Sequence, residues 1–340
     1  MLRTPLTGRY QFDIPFVSAG MGFIGTPPLV AAVSNAGGFG LLASGAGPAP
    51  VLREMIRATR TRTSRPFGVN CIIETTAFGP LTTEDHLQVC IGERVPVVTF
   101  FWSPPPADWI RVLKQAGIDV WFQTSSVDAA RAAVASGVDV IIAQGSEAGG
   151  HNRGTVGMLT LLPRMVDALA SVPVIAAGGI ADGRGMAAAL CLGASAVCVG
   201  TRLIATVEAN AHPEYKRRVV EAGEGDTTRT CIFGPEWPDA PIRVLRNRIV
   251  REWEGNDGKT PPQSGPPQII GKTPLGPMEY AMPKFSAFLP TPETTGDFEE
   301  MCLAAGESSA LTTSIVSAGE VVQGMASEAE RILRESASPK

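Results

Sequence analysis

His151 is the side chain best matched to moving a proton near neutral pH. It closes the run Gln144-Gly145-Ser146-Glu147-Ala148-Gly149-Gly150-His151, in which backbone without Cβ atoms can pass close to a bound ring. His86 and His212 lie far away in sequence and not at metal-ligand spacing. With no HExxH pattern and no clustered Cys and His, no dedicated metal site is expected. Two further clusters, Gly178-Gly179 and Gly200-Thr201, would let main-chain N–H groups close on a phosphate, or else merely form tight turns. Amides (Asn70, Gln123, Gln144) stand where a sugar-phosphate enzyme would carry acids. A flat heterocycle with many hydrogen-bonding edges suits the amides and a phosphate suits the glycines; flavin mononucleotide (FMN) satisfies both. Glu147 either orients the imidazole or is a solvated loop carboxylate.

These residues need elements to place them. Short β-branched apolar runs predict strands at Pro15–Ala19, Phe39–Ala43, Phe67–Cys71, Val95–Phe101, Ile118–Gln123, Val138–Gln144, Val174–Ala177 and Ala196–Val199. Helical segments alternate with them, among them Pro27–Ala36, Val51–Thr59, Trp109–Ala116, Val127–Ser136, Leu159–Ser171 and Arg184–Leu192, several with Gly just past the end. Strands apolar on both faces imply a parallel sheet covered by helices, and the strand count favours a closed (β/α)8 TIM barrel over an open doubly wound sheet. In a barrel, functional groups gather at the C-terminal strand ends. There the sequence places Ala19-Gly20-Met21, Asn70, Phe100-Phe101-Trp102, Gln123, the His151 loop and the two phosphate clusters. A helix beginning beyond Ile180 would aim its positive end at the phosphate. Gly38-Phe39-Gly40-Leu41-Leu42-Ala43 matches GxGxxA but leads from helix into strand, the reverse of a dinucleotide fingerprint.

The barrel is expected over residues 1–222. From Gly223 to Gly296 periodicity fades and proline is dense, which predicts an irregular substrate or lid lobe over 223–310, with a helix at Pro241–Trp253. An amphipathic Ser317–Glu335, within a C-terminal segment 311–336, should pack back on the barrel as a helix. The charge of −4 and the lack of Lys/Arg runs disfavour nucleic acid or a membrane surface as partner. No apolar stretch is long enough to span a bilayer, and the N-terminus lacks the apolar run of a signal peptide. Six cysteines without a CxxC pair fit a reduced, cytoplasmic setting; Cys71 and Cys198 fall in predicted strands as core residues.

The pieces IPFVSAGMG (14–22), NAGGFGLL (35–42), RPFGVN (65–70), EAGGH (147–151), VPVIAAGGIADGRG (172–185) and GASAVCVGTRLIAT (193–206) resemble nitronate monooxygenases, formerly called 2-nitropropane dioxygenases, over about residues 10–250. The resemblance implies an FMN-dependent (β/α)8 barrel with a smaller inserted C-terminal lobe. Ala19, Gly20 and Met21 would face the flavin ring, and Asn70 and Gln123 would contact the ring or ribityl chain. Gly149 and Gly150 would line the ring edge, and Gly178, Gly179, Gly200 and Thr201 would hold the phosphate. His151 matches the family's active-site histidine, as base and anion stabiliser. Phe100, Phe101 and Trp102 would form an apolar wall. The implied reaction turns alkyl nitronates or nitroalkanes and O2 into a carbonyl compound and nitrite, with small-molecule partners and a homodimer as the expected assembly. A flavin- and NAD(P)H-dependent enoyl-acyl-carrier-protein reductase is the alternative. Two departures stand out. Gln123 occupies a place where some members carry a basic residue, and Ala305-Gly306-Glu307-Ser308-Ser309 matches the family's C-terminal Gly stretch poorly.

Overall fold

The computed structural model describes residues 2–44, 47–169, 171–255, 261, 265–275 and 278–337. Eight parallel strands form the central sheet: β1 (Phe16–Ser18), β2 (Gly40–Ala43), β3 (Phe67–Ile73), β4 (Val97–Trp102), β5 (Asp119–Thr124), β6 (Val140–Gln144), β7 (Val174–Ala177) and β8 (Ala196–Val199). Each pairs with the next, β8 returns to β1, and a parallel bridge between Val17 and Phe39 joins β1 to β2 and closes the ring. The helices α1 (Pro27–Asn35), α2 (Ala49–Arg60), α3 (Glu84–Gly92), α4 (Ala107–Gln115), α5 (Val127–Ala135), α6 (Met158–Ala168) and α7 (Gly183–Cys191) follow β1 to β7 in turn. The short α8 (Thr201–Ile204) and α9 (Pro213–Glu221) follow β8. The TIM barrel is therefore as expected, and β7 and β8 have the predicted bounds.

The uniformly apolar strands arise because each face meets a different core. In β5, Val120 and Phe122 point to the helix layer, while Trp121 points into the barrel with Val17, Phe39, Val140 and Ile175. A helix at Pro5–Tyr10 adds Leu6 and Tyr10 to this inner cluster. The Tyr10 hydroxyl accepts from Trp121 Nε1 at 3.0 Å and donates to Asp119 at 2.9 Å, so the polar atoms of both buried rings are satisfied.

The lobe departs from expectation, because it contains sheets rather than irregular chain. β9 (Thr227–Thr230) pairs antiparallel with β10 (Ile242–Leu245), and the other edge of β10 takes the two-residue strand Gly150–His151 from the loop after β6. β11 (Ile269–Leu275) pairs with β12 (Met278–Pro283) and β13 (Thr295–Gly296). The helix expected at Pro241–Trp253 is instead β10 followed by a short helix, Arg248–Glu252. Ile242 and Val244 are buried and Arg243 is partly exposed, a period of two that suits a strand, and the Asn247 side chain starts the helix by accepting from the Val250 N–H. Pro274 is tolerated in β11 because β13 pairs only with Gly271 and Lys272, short of the proline. Part of the Pro-rich run at 261–268 lies outside the described residues. The C-terminal helix α10 (Ala318–Ala337) docks on α1 and α7, burying Ala318, Val321, Val322, Met325 and Ala329. Among the described residues no helix is long and apolar enough to cross a membrane.

Candidate active site

A cavity of about 250 Å3 opens where the barrel strands end. Its wall includes every residue expected to hold the cofactor, from Ala19-Gly20-Met21 through Asn70, Gln123, Gly149 and Gly150 to Gly178-Gly179 and Gly200-Thr201. Asn70 is pinned by a 3.3 Å bond from its Nδ2 to the Gly20 carbonyl. A Cβ on Gly20 would stand 2.3 Å from the Asn70 side chain, so the close approach requires glycine. Gln123 reaches the cavity from β5. Gln144 donates to the His151 carbonyl at 3.2 Å, so this amide holds the loop as well as lining the wall.

The ends of β7 and β8 meet the cavity through Gly178-Gly179 and Gly200-Thr201. Gly178 and Gly179 lie at φ +108° and +71°, a backbone conformation open mainly to glycine. Among the described residues, the N–H groups of Gly178, Gly179, Gly200 and Thr201 donate to no protein acceptor, although all four line the cavity. Main-chain donors left unmatched at a cavity wall suit phosphate oxygens. The expected contribution from the start of α7 is corrected. Its first N–H groups are taken by carboxylates, Gly183 bonding Glu328 at 2.7 Å and Gly185 bonding Asp182 at 3.0 Å. The Thr201 hydroxyl is likewise engaged, accepting from the Gly306 N–H at 2.9 Å, which leaves its backbone facing the cavity.

That contact brings in a segment the sequence reading undervalued. Gly306 crosses Gly149 so closely that a Cβ on Gly149 would stand 2.3 Å from the Gly306 nitrogen. Glu307 donates its N–H to the Glu147 carbonyl at 3.0 Å, and Ser308 lines the cavity. Glu147 neither orients His151 nor sits free in solvent. Its Oε1 accepts the Met158 N–H at 2.8 Å and so starts α6.

His151 lines the cavity in an aromatic seat. Trp237, from the lobe, lies 4.1 Å from its ring centroid at 41°, and Trp102 lies 5.7 Å away at 74°. Burial pushes the imidazole down to about 4, only partly offset by the carbonyls of Pro241 and Ala240. At neutral pH the ring is therefore uncharged, and its buried Nδ1 has no hydrogen-bond partner. The three aromatics of β4 divide. Phe101 lines the cavity. Phe100 does not, because its fully buried ring packs outward against Trp109 of α4 at 6.0 Å. Trp102 backs His151 rather than lining the cavity, with the Arg153 guanidinium 3.9 Å over its ring. Sequence reasoning missed Glu236, Trp237 and Phe288, lobe residues in the cavity wall that only the tertiary fold brings there. Among the described residues no group of His, Cys, Asp and Glu is placed to hold a metal ion.

The sequence pattern of one family, described as nitronate monooxygenase, matches residues 3–328. The chain belongs to that family. It is accordingly a flavin-dependent oxidoreductase of the nitronate monooxygenase family. Among its relatives is the (3aS,4S,5R,7aS)-5-hydroxy-7a-methyl-1-oxo-octahydro-1H-indene-4-carboxyl-CoA dehydrogenase of Mycobacterium tuberculosis, 40% identical over 256 residues, which are 74% of this chain and 69% of that protein. Two solved structures share the fold over nearly the whole chain. FabK from Thermotoga maritima is 34% identical with a TM-score of 0.81, covering 98% of both chains. The nitroalkane oxidase of Streptomyces ansochromogenes is 30% identical with a TM-score of 0.81, covering 98% of this chain and 99% of the other.

Proposed function

We propose that the chain binds flavin mononucleotide and oxidises alkyl nitronates or nitroalkanes with O2 to a carbonyl compound and nitrite. The observation that carries this reading is an imidazole whose buried Nδ1 has no hydrogen-bond partner, on the same cavity wall as four unmatched main-chain donors. The donors at Gly178, Gly179, Gly200 and Thr201 would hold the phosphate, and Asn70 and Gln123 would meet the ring or ribityl chain. When bound, the flavin supplies the electron acceptor that connects the substrate to O2.

The remaining work falls to side chains. An uncharged His151 has a lone pair to take the acidic proton from the carbon beside a nitro group, which a protonated histidine could not do. Once protonated, the imidazolium faces the aromatic rings of Trp237 and Trp102 and a newly formed anion, both of which favour its charge. Phe101, Ile72 and Leu81 give the cavity apolar walls suited to an alkyl group. Nitrite release from a preformed nitronate without pyridine nucleotide tests the reading. H151N should lower turnover of the neutral nitroalkane far more than that of the nitronate; equal losses discard the role as base.

A second reading has its own support. The relative from Mycobacterium tuberculosis is named for an acyl-CoA substrate, and the cavity mouth carries Phe78, Phe288 and Leu289. The chain would then oxidise or reduce a thioester-linked substrate, with NAD(P)H in the reductase case. Rapid anaerobic bleaching of the flavin by NADH or by an acyl-CoA, with no nitrite formed from nitronates, would favour it.

A further inference from the structure

Glu236 is a buried carboxylate in the cavity wall for which the proposed chemistry has no use. Its Oε1 accepts from the Tyr280 hydroxyl at 2.8 Å and the Ser286 hydroxyl at 2.6 Å, and its Oε2 accepts the Ala287 N–H at 3.0 Å. Its own carbonyl accepts the Ala77 N–H at 2.9 Å. One residue thus joins β12, the loop after β12 and the loop after β3. Those segments carry the rings around the mouth. Phe288 lies 4.5 Å from Tyr280, 6.3 Å from Phe78 and 4.8 Å from Phe23 of the barrel. The residue after Glu236 is Trp237, whose ring packs tilted against His151.

The turn that presents this pair is tightly held. Gly234 donates to the Phe285 carbonyl at 2.9 Å, and Trp237 donates to the Gly234 carbonyl at 3.1 Å. Gly234 adopts φ +143°, with the Trp237 carbonyl oxygen 2.3 Å from where a Cβ would stand. Three donors offset the cost of taking this carboxylate out of water and fix its place. Its charge is not what reaches His151, whose protonation is set by burial and by the carbonyls of Pro241 and Ala240. The connection runs through packing.

We propose that Glu236 is a positioning residue, whose carboxylate ties its own turn to β12 and the loop after it within the lobe and, through Trp237, keeps the His151 imidazole shielded. The role rests on His151 as the reacting base, but its test reads shielding and not turnover. E236A removes both carboxylate oxygens and with them all three side-chain hydrogen bonds. E236Q can keep all three contacts, its amide oxygen accepting the Ala287 N–H while its NH2 donates to the Tyr280 and Ser286 oxygens, whose hydroxyls turn from donor to acceptor.

Purified protein is treated with diethyl pyrocarbonate, and the modification rate at each histidine is read by peptide mass spectrometry. His86 is the internal reference, a buried ring held by Thr83 and the Gly47 carbonyl. In E236A, His151 should react about tenfold faster, the loss of charged hydrogen bonds being large enough to free the turn that carries Trp237. E236Q should stay within about twofold of the wild type, and His86 should not change in either variant. Wild-type protection of His151 in E236A overturns the proposal. So does a parallel rise at His86, which would report a loosened fold and not a freed turn. E236Q reacting as fast as E236A also overturns it, because hydrogen-bond geometry would then not be what holds Trp237 in place.

Discussion

Replacing Gly149 by Ala tests whether the cavity edge depends on two backbones crossing without side chains. The new Cβ would stand 2.3 Å from the Gly306 nitrogen and 2.5 Å from the Ala305 carbonyl carbon. Both are main-chain atoms, so no rotamer change relieves the overlap, and the segments must part by about 1 Å to reach ordinary contact. Two bonds span the crossing: Glu307 N–H to the Glu147 carbonyl at 3.0 Å and Gly306 N–H to the Thr201 hydroxyl at 2.9 Å. Stretched by that amount, both leave hydrogen-bonding range. Each buried group left unpaired costs about 1–3 kcal/mol, giving about 2–6 kcal/mol in all. That is a large share of a total stability of about 5–15 kcal/mol. Urea unfolding gives the free energy, and the absorbance of the purified protein gives the flavin content. G149A should lose stability in that range and retain less flavin, since Gly149 and Thr201 both line the cavity. A variant within about 0.5 kcal/mol of wild type with full flavin content would refute the argument.

Three further outcomes follow from the same geometry. The folded pKa of His151 is depressed from 6.5 to about 4, so between those values the unfolded chain binds a proton that the folded chain refuses. Stability should therefore fall as pH drops through that window, by up to about 3 kcal/mol, and H151N should lack this component; identical pH dependence of unfolding in both proteins would contradict it. Y10F removes the acceptor of the buried Trp121 N–H and should cost about 1–3 kcal/mol in urea unfolding. Gly324 is exposed in α10 with nothing within 4 Å of an added Cβ, so G324A should raise stability by about 0.5–1 kcal/mol.

The barrel was legible because its strands bury both faces, which writes them as short, continuous apolar runs between helices. The glycines of the site were legible for a related reason: at a strand end, a Gly pair marks where backbone must turn sharply or approach something closely. Side-chain direction was harder to read. Phe100-Phe101-Trp102 is a run of aromatics, and nothing in the run shows which ring points inward. The pairing of Phe101 with Gln123 across β4 and β5 sets that phase, turning Phe100 into the helix layer. The start of α7 misled for another reason. Asp182 announces a cap from the sequence, but the Glu328 carboxylate that takes the Gly183 N–H lies 145 residues away.

His151 shows why the chemistry of a site is less legible than its inventory. The sequence displays a titratable ring in a Gly-rich loop. Its protonation is decided by Trp102 from β4, by Trp237 and by the Pro241 and Ala240 carbonyls, which reach it only because β10 pairs with Gly150–His151. The barrel supplies the glycines and amides of the cavity wall; the lobe supplies Trp237 beside the imidazole and Phe288 among the lining rings. These two parts can change independently, since residues such as Phe288 and Tyr280 bear on the mouth without touching Gly178 or Gly200. A relative named for an acyl-CoA substrate and another named as a nitroalkane oxidase can therefore share one barrel with this chain. Substitutions at the barrel glycines should alter flavin retention for any substrate, whereas substitutions at Phe288 should change which substrates turn over while flavin content stays constant. F288A losing flavin as readily as G149A would collapse that division of labour.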